Sequence, residues 1–332
     1  MTILVTGAAG FIGYHLCLAL LSQGQQVIGL DNLNDYYDPR LKHARLSRLL
    51  TQKGFMFKQG DITNTDFIQT LFHEETLDVV IHLAAQAGVR YSISHPRHYW
   101  QANLIGFGEI LEACRHHPVN HLIYASSSSV YGKQSSYPFV ETDSCDQPVS
   151  LYGASKKANE LMAHSYAHLY GIPCTGLRFF TVYGPYGRPD MAPFLFTQKI
   201  FHDDVIDVYN HGQLTRDFTY IDDIIAGILS LIQLPPSQHR VFNIGRGEPV
   251  NLMDFIRCLE KTIGKPAKLR FCDMQAGDVF NTYASTSALH ALTGYKPRIS
   301  LNEGIERFIT WYREFYQSGE MIHAGQQSQG VF

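Results

Sequence analysis

Tyr152 and Lys156 stand four residues apart in Tyr-Gly-Ala-Ser-Lys. On a helix that spacing puts both side chains on one face. An ammonium beside a phenol favours the phenolate and lowers the phenol pKa, which makes a base usable near neutral pH. In a chain with 19 tyrosines the pair alone says little. Its place adds weight, because it follows Ser126-Ser127-Ser128-Ser129-Val-Tyr-Gly132 at the end of an apolar run. Hydroxyls at the C-terminal end of such a strand can hydrogen-bond the substrate oxygen whose proton the tyrosine removes.

A second constellation lies near the N-terminus. Gly7-Ala-Ala-Gly10-Phe11-Ile12-Gly13 follows an apolar run and opens a helical pattern over 11–23. Gly7 permits a tight turn, Gly10 lets the backbone approach a diphosphate, and Gly13 allows close helix–strand packing. The helix start, with Phe11 and Ile12, offers N–H groups and a positive dipole end to phosphates. Asp31, with Asn32 beside it, ends the next apolar run where a ribose-binding carboxylate belongs. It accepts hydrogen bonds from ribose hydroxyls and repels a 2′-phosphate, so NAD is expected rather than NADP. Asp61 and Ile62 close the third run, where Asp61 can meet the adenine amino group. Ala84, Ala85 and Gln86 close the fourth, where small residues let the chain pass beside the cofactor.

These residues need strands that end where they begin. Short apolar runs at 3–5, 27–30, 55–58, 79–81 and 121–125 alternate with helical or polar segments. That alternation predicts an α/β fold, a doubly wound parallel sheet (Rossmann) with its ligand at the strand C-termini. Two later helices are long: 96–116, and 151–170, which stops at Gly171 with Pro173 beyond. Residues 154, 158, 161, 162, 165 and 169 mark one face of the second, for the core or for a second subunit. Pro, Gly and aromatic residues become dense over 183–196, which reads as loop-rich structure above the cofactor unit. The expected division is an NAD-binding domain over 1–180 and a smaller mixed α/β substrate lobe over 181–317, with some chain crossing back. Residues 318–332 read as a polar tail.

Composition excludes several classes. The 332 residues are 45% hydrophobic with a net charge of −3. That is globular composition with no general basic field for nucleic acid or anionic membrane. No run of 18 apolar residues or signal-type segment is present, so a cytoplasmic protein is expected. The six cysteines form no C-x-x-C pair and read as reduced core residues. Among 16 histidines there is no H-E-x-x-H, and no metal is expected.

The glycine loop, the serine cluster and the Tyr152/Lys156 pair together resemble the extended short-chain dehydrogenase/reductase family. Within it, the nucleotide-sugar epimerases match to about residue 316. The resemblance implies that Tyr152 is the base and that Lys156 binds the nicotinamide ribose and tunes it. Ser127 matches the usual catalytic hydroxyl, with Ser129 a second candidate, and Asn103 joins the cofactor contacts. Leu177-Arg-Phe-Phe-Thr-Val-Tyr-Gly-Pro185 follows the family pattern L-R-x-x-N-V-Y-G-P, with Thr181 in place of the common Asn. Arg216, in Arg-Asp-Phe-Thr-Tyr-Ile-Asp-Asp223, matches the arginine that contacts the nucleotide diphosphate. Asp278 matches a position near the UDP ribose. The family's T-x-A-D is here Thr282-Tyr-Ala-Ser285, which removes one carboxylate. A homodimer through the two long helices is also implied.

Three segments resemble UDP-glucuronate 4-epimerases and their bacterial relatives: the connection over 31–42, Gln86-Ala-Gly-Val-Arg90-Tyr-Ser, and Tyr186-Gly-Arg188-Pro-Asp-Met-Ala. A uronate adds a carboxylate, and a guanidinium fork is its natural two-point partner. Arg188 is the first candidate and Arg90 the second. Either could instead pair a structural aspartate or touch phosphate, Arg90 in particular. Ser128 and Thr181 complete the implied UDP-sugar site. The expected reaction is C4 epimerisation of UDP-glucuronate to UDP-galacturonate through a 4-keto sugar, with tightly held NAD reduced and re-oxidised in each cycle. Related decarboxylases carry an acidic residue at the position of Ser129, and its absence here favours epimerisation. The alternatives are a UDP-hexose or UDP-N-acetylhexosamine 4-epimerase, a UDP-glucuronate decarboxylase, or a cofactor-sensing binding protein on an inactive fold. The last can lose the Tyr/Lys pair, whereas both residues are present.

Overall fold

The computed structural model describes residues 1–317 except 135, 236, 276 and 277, so the expected tail from 318 lies outside the described residues. The chain begins β1 (Thr2–Thr6), α1 (Phe11–Ser22), β2 (Gln26–Asp31), α2 (Pro39–Leu50), β3 (Phe55–Gln59), α3 (Thr65–Glu74) and β4 (Val79–His82). It continues with α4 (Val89–Ser94), α5 (Pro96–Tyr99), α6 (Gly106–His116), β5 (His121–Ser127), α7 (Leu151–Tyr170) and β6 (Cys174–Phe179). Successive residues of β1 feed opposite faces of the sheet: Ile3 and Val5 join one core and Leu4 the other. A sheet covered by helices on both faces needs such all-apolar strands.

The second half adds β7 (Thr181–Tyr183), α8 (Ala192–Phe201), β8 (Val205–Tyr209), β9 (Thr215–Tyr220), α9 (Ile221–Ile232), β10 (His239–Ile244) and β11 (Pro249–Asn251). Then come α10 (Leu252–Ile263), β12 (Lys268–Cys272), β13 (Asn281–Thr282), α11 (Ser287–Thr293) and α12 (Leu301–Tyr312). The main sheet has seven strands in the order β3-β2-β1-β4-β5-β6-β10. All of its pairs are parallel. The order reverses between β1 and β4, so connections leave their C-terminal ends in opposite directions and a crevice forms there. The fold is therefore the doubly wound Rossmann type with a C-terminal lobe. That lobe holds a small mixed sheet around β9, which pairs β7, β11 and β13, and a parallel pair β8–β12. One apolar core runs from Ile3 and Val5 under α1 to Phe255 of α10 and Trp311 of α12, joining lobe and sheet.

One helical expectation needs correction and one open choice is narrowed. The segment 96–116 is not one regular helix: a π-helical stretch, Trp100–Ile105, separates α5 from α6. The widened turn sets the buried Asn103 side chain against the chain after β4. In α7, the buried face is Gly153, Ser155, Lys156, Asn159, Glu160, Ala163 and Ala167. The stripe left open between core and subunit contact is not the buried face, with Leu161 58% and Leu169 66% exposed. The polar face turns inward because it meets charged and hydroxyl partners on β5 and β6. The ends of α7 are as expected, with Ser150 accepting from the Gly153 N–H and Gly171 left-handed at φ 70°.

Candidate active site

The C-terminal ends of β1, β2, β4 and β5 open into one cavity of about 1190 Å³. That exceeds the usual room for a single drug-sized ligand. Of the residues expected at a site, all but one line it; the exception is Asn103. Asn103 is buried and clamps Gln86 instead, accepting from its N–H at 2.8 Å and donating to its carbonyl at 3.0 Å.

The glycine loop is shaped by contacts no side chain would permit. Gly7 has φ 72°. A Cβ at Gly13 would stand 2.1 Å from the Gly7 carbonyl oxygen, so α1 starts hard against the loop. Gly10 caps α1 without any side-chain hydrogen bond, which leaves the first N–H groups for a ligand. Asp31 braces this loop from β2: one carboxylate oxygen accepts the Ala9 N–H at 3.0 Å, the other the Leu33 N–H at 2.9 Å. Asn32 donates to Asp61 at 2.8 Å, so the ends of β2 and β3 are tied together. An uncapped helix N-terminus, a bracing carboxylate and a large cleft fit a dinucleotide.

The serine cluster divides by role. Ser126 donates to Glu160 at 2.7 Å, and Glu160 takes both Nε and Nη2 of Arg178 at 2.8 and 2.9 Å in a buried pair. Ser126 is thus committed to the scaffold. Ser127 accepts the Ser129 N–H at 3.2 Å and hydrogen-bonds Tyr152. A Cβ at Gly153 would lie 2.5 Å from the Ser129 carbonyl oxygen, so this glycine lets α7 start directly on the cluster. Burial raises the Tyr152 phenol above its usual value, while Ser127 and the Arg188 guanidinium pull it down. The expected lowering by Lys156 is not seen. The Lys156 ammonium is tied to the Ala125 carbonyl at 3.0 Å, and burial pulls it down to about 8.

Three arginines, Arg90, Arg188 and Arg216, also line the cavity. On β9, Arg216 pairs with Asp278 at 2.5 Å and donates to the Phe280 carbonyl at 3.0 Å. Burial pulls its guanidinium down, Asp278 opposes this, and the nearby Arg90 adds to the lowering. Arg90 stacks 5.1 Å from the centre of the Tyr209 ring on β8. Of the partners open to Arg188, the structure shows an aspartate: its fork closes on Asp190 at 3.0 and 2.6 Å. It lies near enough to Tyr152 for each to shift the other. Thr181 begins β7 on the cavity wall. Ser285, where the family has a carboxylate, bonds Phe139 and Ser287 and does not line the cavity, so its change leaves the wall intact. Sequence reasoning gave no role to Tyr36, Lys42, Asp190 or Tyr209, all of which do line it. The available signals were the 31–42 connection, which holds Tyr36 and Lys42, and the spacing of Arg188 and Asp190.

Comparison with known proteins gives a consistent set. The sequence profile of the NAD dependent epimerase/dehydratase family matches residues 3–245. A probable UDP-glucuronate 4-epimerase of Rhizobium meliloti is 44% identical, covering 96% of this chain and 98% of that protein. UDP-glucuronate 4-epimerase 4 of Arabidopsis thaliana is 46% identical, over 98% of this chain and 78% of that one. Among solved structures, a UDP-glucuronic acid 4-epimerase from Bacillus cereus, in complex with UDP-glucuronic acid and NAD, superposes with a TM-score of 0.90. It is 38% identical and covers 95% of this chain and 100% of its own.

Proposed function

The chain belongs to the NAD dependent epimerase/dehydratase family, and within it we propose that it interconverts UDP-glucuronate and UDP-galacturonate by epimerisation at C4. The observation that carries the reading is that Tyr152 and Arg188 line the same dinucleotide-sized cleft. A base for the C4 hydroxyl and a cation for the C6 carboxylate then serve the same sugar ring.

Bound NAD supplies the oxidation and the return reduction at C4. The protein does the rest. Tyr152 holds the proton of the C4 hydroxyl, relayed by Ser127, while Lys156 meets the nicotinamide ribose. Gly10 to Gly13 and Asp31 hold the diphosphate and adenosine ribose, with Asn32, Asp61 and Ile62 toward the adenine. Arg216 and Arg90 grip the UDP diphosphate, and that grip keeps the 4-keto sugar in place while it turns over. Arg188, Thr181 and Ser128 receive the uronate carboxylate. Ser129 offers no acid to assist loss of CO2. Asp278 is spent on Arg216 and acts by orienting it.

The reading extends to organisation. Residues 1–180 with β10 form the cofactor unit, and the remainder to 317 supplies the nucleotide-sugar lobe. The outward stripe on α7, with Leu161 and Leu169, and the exposed Trp100 and Ile105 beside it form the contact of a homodimer. All six cysteines are free thiols, as suits a cytoplasmic enzyme. No helix among the described residues is long and apolar enough to cross a membrane.

A neutral UDP-hexose is the second reading, favoured by the occupied fork of Arg188. Incubation of the purified protein with UDP-glucuronate and with UDP-glucose, without added NAD, decides between them. UDP-galacturonate from the first substrate is expected. Formation of UDP-xylose, or turnover of UDP-glucose alone, would overturn the proposal.

A further inference from the structure

We infer that Asp190 is an internal counter-ion that sets how strongly this site takes a carboxylated sugar, and that the Tyr36 hydroxyl holds it there; this rests on the reading of the substrate as a UDP-uronate. Asp190 meets Arg188 through both of its oxygens, Oδ1 with Nε at 3.0 Å and Oδ2 with Nη2 at 2.6 Å. That is the two-point geometry an arginine would otherwise offer the substrate carboxylate. Oδ2 also accepts the Tyr36 hydroxyl at 3.0 Å. Burial and Asp190 push the Tyr36 phenol up to about 12, so it remains a donor. The phenol is itself seated. Its ring meets Tyr91 edge-on at 4.7 Å, and its oxygen lies 3.0 Å from where a Cβ of residue 88 would stand. Residue 88 is a glycine at φ 109°, so the close approach is built into the backbone.

Tyr36 follows Asp31 and Asn32 on the same connection. The loop that meets the cofactor ribose therefore also anchors the partner of the carboxylate-binding arginine. A uronate reaching Arg188, whose Nε and Nη2 already meet Asp190, finds a cation already countered, and the attraction is moderate. This suits an isomerase in which the sugar must turn over mid-reaction and carry its carboxylate with it. A guanidinium with nothing else to pair would hold the first orientation too firmly.

The sign of the effect is therefore unusual: removing a negative charge from the scaffold strengthens uronate binding. Asp190→Asn leaves Arg188 without a counter-ion, a costly state that an incoming carboxylate relieves. With the NAD-loaded enzyme, calorimetric titration compares UDP-glucuronate, UDP-glucose and UDP. Asp190→Asn is expected to tighten UDP-glucuronate by about fivefold and leave the other two within about twofold, on the scale of a partly screened ion pair. Its kcat for UDP-glucuronate falls. Tyr36→Phe keeps the ring packing, frees Asp190, and shifts UDP-glucuronate in the same direction by about twofold. A general packing role would move all three ligands together. Unchanged or weaker UDP-glucuronate binding in Asp190→Asn overturns the inference, and if that variant does not fold, the same result in Tyr36→Phe does so. A wild-type enzyme that ignores UDP-glucuronate sinks the functional reading first, and this inference with it, before any variant is measured.

Discussion

Replacing Lys156 by Met is expected to make the protein more stable and far less active. The lysine is 2% exposed, and burial pulls its ammonium from 10.5 down to about 8. That drop corresponds to about 3 kcal/mol of disfavoured charge at neutral pH. The unfolded chain keeps the lysine proton up to its ordinary value, whereas the folded chain keeps it only up to about 8. The cost is thus full below pH 8 and fades as pH rises towards 10.5. Met keeps an unbranched apolar body of similar reach and removes the charge. It also removes the hydrogen bond to the Ala125 carbonyl, which returns about 1 kcal/mol. The net gain near neutral pH is about 2 kcal/mol, or about 3 °C in Tm for a chain of this size. Melting curves of the NAD-free protein at neutral pH and near pH 9.5 test this, since Lys156 also meets the bound cofactor. The advantage of the variant must shrink at the higher pH, while kcat falls by about 100-fold or more throughout. A variant that melts below wild type at neutral pH, or whose advantage ignores pH, would refute the reasoning.

Other expectations follow from the same geometry. Tyr152→Phe keeps the fold and the bound cofactor but loses about 1000-fold in kcat, measured by product formation from UDP-glucuronate. Because burial raises the Tyr152 phenol and Ser127 lowers it, activity rises on going alkaline, and Ser127→Ala moves that rise to higher pH; a pH–rate profile that stays in place argues against Ser127 as the partner. Glu160→Gln strands the buried Arg178 guanidinium and is expected to cost about 3–5 kcal/mol, read from denaturant midpoints. Gly13→Ala drives a methyl into the Gly7 carbonyl; NAD content after gel filtration is expected to drop to near zero.

How far the sequence could be read depended on the scale of the interaction. The sheet was legible because strands covered on both faces must be apolar throughout, and 3–5, 27–30 and 79–81 carry that signature. The glycine loop was legible because Gly7 and Gly13 answer to local backbone contacts. The face of α7 was not, since Lys156, Asn159 and Glu160 turn inward only where β5 and β6 bring partners that lie elsewhere in the chain. The clamp of Asn103 on Gln86 was not legible, because periodicity does not reveal the π-helical stretch that aims its side chain. Whether Arg188 meets a substrate carboxylate or a structural aspartate stayed open in the sequence, because Asp190 and Tyr36 reach it through a turn and a loop whose shapes leave no periodic trace. The spacing of Tyr152 and Lys156 was legible, but the burial that raises the phenol and lowers the ammonium was not, because it comes from packing elsewhere in the chain.

The central claim is that NAD is held and recycled on one sugar, so that oxidation and reduction cancel. UDP-glucuronate carrying deuterium at C4 tests it directly, with the purified enzyme in ordinary water and no added cofactor. The account predicts UDP-galacturonate with the deuterium still on C4. UDP-xylose as product, or UDP-galacturonate with the label washed out, would contradict it.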